Sequence, residues 1–311
     1  MKDKLQKFLF ENMPIRGELV ELSIAWKLVQ ERHDYPQPVS TLLGEMLVAA
    51  TLLSANIKFD GSMIMQIHGD GPVRLLVVEC DSDLRIRATA KLAPDAKIEE
   101  GATLRDLVNA NGKGRFAITL DPQEKYPGQI PYQGIVSLEG TTIAEAIENY
   151  MQQSEQLETK IWLAANTEVA RGLLLQRLPS PDDAANDPRI KEREQEAWER
   201  ISILGTTLKH DEMLSTDIDK LMHRLYWEET LRVFDPVEPV FRCSCSRKKV
   251  GDMLRMLGKE EIDAALHEQG NLGICCDFCG QQYDFDAVDC AQLFTSDPTE
   301  NVPPSSSGSV H

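Results

Sequence analysis

The residues with the clearest chemistry are cysteines. Cys243-Ser244-Cys245 is followed, thirty residues later, by Cys276-Asp277-Phe278-Cys279. Four thiolates in two close pairs are the donor set that tetrahedral Zn²⁺ takes at a structural site. Each pair sets two sulfurs near one point, and the segment between must fold back to join the pairs. Cys243, Cys245, Cys276 and Cys279 are therefore the candidate metal ligands, for one Zn²⁺ per chain. The C-x-C spacing is tighter than the usual C-x₂₋₄-C. Such a pair binds with angular strain, which suits a site that gives its metal up. Four thiolates and a dication leave excess negative charge, so the Arg247, Lys248 and Lys249 that follow the first pair are expected to hold the sulfurs deprotonated.

The other three of the seven cysteines read differently. Cys275 adjoins Cys276, but only Cys276/Cys279 has a two-residue spacer, so Cys275 is a bystander. Cys290 reads as a small buried apolar residue and Cys80 as core. His267 lies on a solvated helix face rather than on a metal. Tyr283 and Phe285 alternate as a strand would and read as packing.

Composition narrows the class. The chain has 311 residues, a formal charge of −17, 42% hydrophobic and 27% charged residues, as a soluble globular protein would. The acidic balance opposes duplex binding, which draws its affinity from Lys and Arg. Cysteines crowded into the last quarter resemble a metal or redox site in a reducing compartment, not a secreted disulfide framework. The apolar run Phe8–Phe10 is too short for a signal peptide. Leu42–Ile57 is broken by Glu45 and is too short to span a membrane. A cytoplasmic protein with no membrane contact is expected. No P-loop, G-x-S-x-G elbow or H-E-x-x-H is present, and Gly112-Lys113-Gly114 does not make a P-loop. Gly69-Asp70-Gly71-Pro72 reads as a hairpin turn.

The elements that must position the cysteines follow from periodicity. Val39–Asn56 is helical. Met63–Ile67, Val73–Glu79 and Leu84–Lys91 form an antiparallel meander, with further strands at Arg115–Leu120, Gly134–Leu138, Lys160–Ala164 and Leu173–Gln176. Thr142 and Glu145 form a capping box for a helix running towards Ser154. The fold class is α+β. After the Pro-rich, acidic stretch at 178–183 comes a charge-dense helix, Arg189–Leu208. Ala197, Ile201, Leu204 and Leu208 form its narrow apolar stripe. A second helix is expected at Leu221–Glu229. This segment has little core of its own and should unfold separately. The unit that follows is small enough to need a metal, with helical spacing at Val250, Met253, Leu254 and Leu257 and again at Ile262 and Leu266. The domains expected are an N-terminal mixed α/β core (1–179), a helical metastable linker (180–235), a zinc-binding unit (236–294) and a disordered tail (295–311).

These residues resemble the redox-regulated 33 kDa heat-shock chaperonin family of bacteria. The likeness runs over nearly the whole chain. It includes Phe10-Glu11-Asn12, Arg16-Gly17-Glu18-Leu19-Val20, His33-Asp34-Tyr35-Pro36-Gln37-Pro38-Val39, Lys58-Phe59-Asp60-Gly61, Gly69-Asp70-Gly71-Pro72, Ser154-Glu155-Gln156-Leu157 and Leu174-Leu175-Gln176. It ends with Cys243-Ser244-Cys245-Ser246-Arg247 and Cys276-Asp277-Phe278-Cys279-Gly280. Arg171 departs from it, standing where the family often has a second Gly before Gly172. Cys275 and Cys290 look additional and leave open an off-pathway disulfide.

The resemblance implies an ATP-independent holdase, not an enzyme. When reduced, the four cysteines hold Zn²⁺. On oxidation they form the disulfides Cys276–Cys279 and Cys243–Cys245. The metal is lost, the linker unfolds, and apolar surface binds unfolding client proteins. A homodimer is implied for the oxidised form. Three other readings remain open: a thiol–disulfide oxidoreductase using Cys276-x-x-Cys279, a zinc-dependent nucleic-acid module using Arg242, Arg247, Lys248 and Lys249, and a purely structural zinc unit.

Overall fold

The computed structural model describes residues 2–124, 126, 131–138, 140–179 and 187–295. The chain divides into two compact units, Met1–Arg242 and Cys243–His311.

The first unit is built on two sheets. One runs β10-β1-β2-β9-β8 and is antiparallel throughout, with β1 (Lys4–Phe10), β2 (Ile15–Leu22), β8 (Thr159–Ala165), β9 (Ala170–Arg177) and β10 (Leu231–Val233). The other runs β11-β5-β4-β3-β6-β7, with β3 (Gly61–His68), β4 (Val73–Asp81), β5 (Arg85–Leu92), β6 (Arg115–Pro122), β7 (Tyr132–Val136) and β11 (Val240–Phe241). The meander β3-β4-β5 is as expected, and Gly69–Pro72 makes its first turn, closed by Gly69 N–H to the Arg74 carbonyl at 3.0 Å.

The helices are α1 (Ile24–Gln30), α2 (Gln37–Ser54), α3 (Leu104–Val108) and α4 (Ile143–Gln153). The long apolar α2 packs against β2, β8 and β9 of one sheet and β3, β4 and β5 of the other. All of its residues but Gln37, Pro38, Thr41 and Glu45 are buried, and it supplies the core between the two sheets. No helix among the described residues is long and apolar enough to cross a membrane.

Three local readings change. Strands β1 and β2 were not expected, because Glu18 and Glu21 in β2 suggest a wet face, yet both are buried. Strand β7 starts two residues before the expected Gly134. At α4, Thr142 accepts from the Glu145 amide as a cap should, but the Glu145 carboxylate reaches back to the N–H and hydroxyl of Thr141, not of Thr142.

Beyond residue 186 lie α5 (Pro188–Thr206), α6 (His210–Ser215) and α7 (Ile218–Leu225). The second expected helix therefore sits earlier than Leu221–Glu229, capped by Asp217 and ended at Tyr226. The apolar stripe of α5 lies on the first sheet. Ala197, Trp198, Ile201, Leu221, Leu225 and Tyr226 share a core with Phe8, Phe10, Leu19 and Leu173. Residues 236–242, expected with the cysteines, run with the first unit.

The second unit contains α8 (Arg247–Leu257), α9 (Lys259–Gln269), the hairpin of β12 (Leu272–Cys275) and β13 (Gln282–Phe285), and α10 (Ala287–Thr295). Its buried core is Val250, Leu254, Ile262, Leu272, Phe285 and Cys290. Thr295 closes α10 rather than opening the tail. The rest of the expected tail lies outside the described residues, as do residues 180–186 at the start of the expected linker.

Candidate metal centre

Two local structures deliver the four sulfurs. Cys243 and Cys245 lie just before α8, whose N-cap Ser246 accepts from the Lys249 amide at 3.2 Å. The positive end of that helix dipole favours a thiolate at Cys245. Cys276 and Cys279 sit in the turn between β12 and β13. There Cys276 N–H donates to the Gln281 carbonyl at 2.9 Å and Gly280 N–H donates to the Cys276 carbonyl at 2.8 Å. Gly280 has φ +70°, a left-handed conformation that glycine adopts without strain. The turn aims the amides of Cys279 and Phe278 at the Cys276 sulfur and the Gln281 amide at the Cys279 sulfur.

The sulfurs converge. Cys243 Sγ is 3.6 Å from Cys276 Sγ, and Cys245 Sγ is 3.4 Å from Cys279 Sγ. All four ligand atoms lie within 4.8 Å of one another. Four sulfurs about 2.3 Å from one zinc stand about 3.8 Å apart in a tetrahedron. The contacts are far longer than the roughly 2.05 Å of a disulfide. The donor set thus fits a tetrahedral thiophilic dication.

Electrostatics point the same way. Desolvation, then crowding by the other sulfurs, pushes the Cys279 thiol up to about 12, against the amide of Gln281. Desolvation also raises Cys276, partly offset by the amides of Cys279 and Phe278. Four thiolates this close need a cation among them. Arg247 does not supply the charge in the way expected. Its guanidinium donates to the Asp284 carbonyl and the Asp289 carboxylate, each at 2.7 Å, and lies over the Phe285 ring at 4.2 Å. It clamps α8 to β13 and α10. Lys248 and Lys249 are exposed.

Sequence reasoning missed Tyr283. Its hydroxyl donates to Cys245 Sγ at 3.1 Å, and that bond raises the phenol to about 12. Strand alternation places Tyr283 on one face but does not reveal what the hydroxyl reaches. The remaining cysteines are placed as expected. Cys275 is exposed, Cys290 is buried in the small core, and Cys80 is buried in β4, where desolvation raises its thiol to about 12. His267 lies on the exposed side of α9.

Fold and site together define an α+β protein followed by a small four-cysteine module able to hold a metal ion. Residues 3–286 match the family described as Hsp33 protein. The chain is 46% identical over 295 residues to the 33 kDa chaperonin of Chromobacterium violaceum, covering 95% of each chain. It is 45% identical over 298 residues to the 33 kDa chaperonin of Methylobacillus flagellatus, covering 96% of each. Its fold matches the crystal structure of the 33 kDa chaperonin, a heat shock protein 33 homologue, of Thermotoga maritima. The TM-score is 0.76 at 20% identity, over 93% of this chain and 97% of that one. The chain belongs to the Hsp33 family.

Proposed function

We propose that this protein is a redox-regulated, ATP-independent holdase whose switch is the Cys243, Cys245, Cys276 and Cys279 cluster. The observation that carries the reading is the meeting of four sulfurs within 4.8 Å, in a unit whose buried core has only six residues among those described. Such a unit depends on its metal, and structural zinc in small peptides contributes about 10–16 kcal/mol to folding. Bound there, Zn²⁺ supplies a charge that keeps the thiols deprotonated and ties the two cysteine pairs together.

The chain's own groups do the rest. A thiolate attacks a peroxide or hypochlorous acid and becomes a sulfenic acid. A second thiolate attacks that sulfur, and water or hydroxide leaves. Each disulfide thus gives two electrons to one oxidant molecule. The pairs that the resemblance implies are Cys243–Cys245 and Cys276–Cys279, each across a short spacer. Disulfides are poor ligands, so the small unit loses its folding energy. Residues 188–233 then undock, and the apolar surface shared by α5, α7 and the first sheet becomes available to unfolding clients. The oxidised form associates as a homodimer, held by the same newly exposed apolar surface. The −17 charge keeps a protein with such surface dispersed. The setting is cytoplasmic, where thiols start reduced.

The test is zinc content and free-thiol count before and after peroxide with mild heat, read beside aggregation of a denatured client. Loss of one zinc and four thiols should coincide with suppressed aggregation. Zinc loss without suppression overturns the holdase reading, and zinc retention under peroxide leaves only a structural site.

A further inference from the structure

Residues 230–242 form a strap that closes one edge of each sheet. Along β1 it accepts from Glu11 N–H at the Thr230 carbonyl at 2.9 Å and donates from Phe234 N–H to the Lys7 carbonyl at 3.0 Å. It also exchanges two bonds with Leu5 through Val237, at 2.8 and 2.9 Å. Its segment Leu231–Val233 is β10, antiparallel to Phe8–Phe10. Further on, Val240 N–H donates to the Leu84 carbonyl at 3.0 Å and Arg242 N–H to the Ile86 carbonyl at 3.1 Å, as β11 runs parallel to β5. Without the strap, β1 and β5 would be the edges of their sheets.

All of these bonds run from backbone to backbone. Val233, Phe234, Val237 and Val240 are 41–46% exposed, and only Leu231 and Phe241 of its large apolar side chains pack against the two cores. Recognition of this kind reads an extended main chain and is almost indifferent to side chains. An open sheet edge is itself a template for another strand. The strap's last bond to β5 is made by Arg242, next in sequence to Cys243.

We infer that β1 and β5 are client-binding edges, on which the strap stands in for an extended segment of unfolded polypeptide. Release of the strap along with the linker frees the outward N–H and C=O groups of both strands. An unfolding client then adds as a strand at β1 and, further along its length, at β5, whatever its sequence. This rests on the holdase reading and gives it a binding mode suited to unrelated clients.

Residue-resolved hydrogen exchange on the full-length protein tests the inference. It is run reduced, oxidised with mild heat, and oxidised with heat-unfolding citrate synthase. The outward amides of Leu5 and Glu11 should exchange at least tenfold faster on oxidation and regain protection when client is held. Amides facing β2 should change little. A synthetic peptide of residues 230–242 in excess should restore the same protection and compete with client. The same peptide N-methylated at Phe234, Val237, Val240 and Arg242 keeps its side chains, loses its donors and should do neither. Client held while Leu5 and Glu11 stay unprotected overturns edge binding and leaves the holdase reading standing. So does equal competition by the two peptides. Strap bonds that stay protected after oxidation overturn it too. Failure to hold client at all removes the holdase reading, and this inference with it.

Discussion

The guanidinium of Arg171, in the middle of the first sheet, donates to the carbonyl of Thr216 in the turn between α6 and α7 at 2.7 Å. It donates to the Met213 carbonyl at 2.8 Å and pairs with Glu21 at 2.5 Å, and its side chain is 2% exposed. One buried cation thus fastens the helical segment to the sheet beneath it.

Removing that cation should loosen the segment. Arg171→Ala leaves Glu21 buried without its partner and two carbonyls without a donor, a loss of about 3–5 kcal/mol. Limited proteolysis within residues 188–225 should begin at a lower temperature, even with zinc bound and thiols reduced. Arg171→Ala with Glu21→Gln should recover part of the loss. Unchanged cleavage would show that the apolar contacts alone hold the segment.

Tyr226 offers the opposite effect. It is 1% exposed among Phe8, Phe10 and the α7 residues, and its hydroxyl has no hydrogen-bond partner among the described residues. An unsatisfied buried hydroxyl costs about 1–3 kcal/mol. Tyr226→Phe should therefore stabilise docking by about 1 kcal/mol and raise the temperature at which oxidised protein begins to hold client.

Tyr283 tests the metal centre from outside the ligand set. Tyr283→Phe removes the hydroxyl bond to Cys245 and keeps the ring. Loss of such a supporting bond typically weakens metal affinity about 10–100-fold. Competition with a chromophoric chelator should show faster and more complete zinc transfer, with the far-ultraviolet spectrum of the zinc-bound form unchanged.

Glu45 predicts a pH dependence. Burial in the central helix α2 raises its carboxyl to about 7 from an ordinary 4.5. The folded state therefore holds this proton more tightly than the unfolded chain. Below about pH 4.5 the group costs nothing, and stability falls as pH rises towards 7, by an upper bound of roughly 3 kcal/mol. Glu45→Gln should be more stable than the parent at pH 8 and equal to it near pH 4.5, by urea unfolding at the two pH values.

The cluster of Cys243, Cys245, Cys276 and Cys279 was legible because a close cysteine pair is a local feature, fixed by one or two intervening residues. The meander was legible for a similar reason, since β3, β4 and β5 pair with their neighbours in sequence across turns marked by Gly, Pro and Asp. Leu42–Ile57 could be read as a buried helix from its apolar residues alone. Strands β1 and β2 could not, because Glu18 and Glu21 look like surface residues until Lys7 and Arg171 are placed beside them. The same holds for Arg247, whose charge suggested the sulfurs but whose planar fork found Asp284 and Asp289.

What the sequence determined by itself was a donor set for one thiophilic ion, an α+β class and a charged helical segment needing a surface to lie on. Tertiary structure decided which surface. It set α5 and α7 on the sheet containing β1, placed Arg171 under the turn that follows α6, and ran residues 230–242 along two sheet edges. Those choices depend on backbone groups pairing between segments far apart in the chain. Every peptide carries the same donor and acceptor, so nothing in the side-chain pattern names the partner until the fold brings the two together.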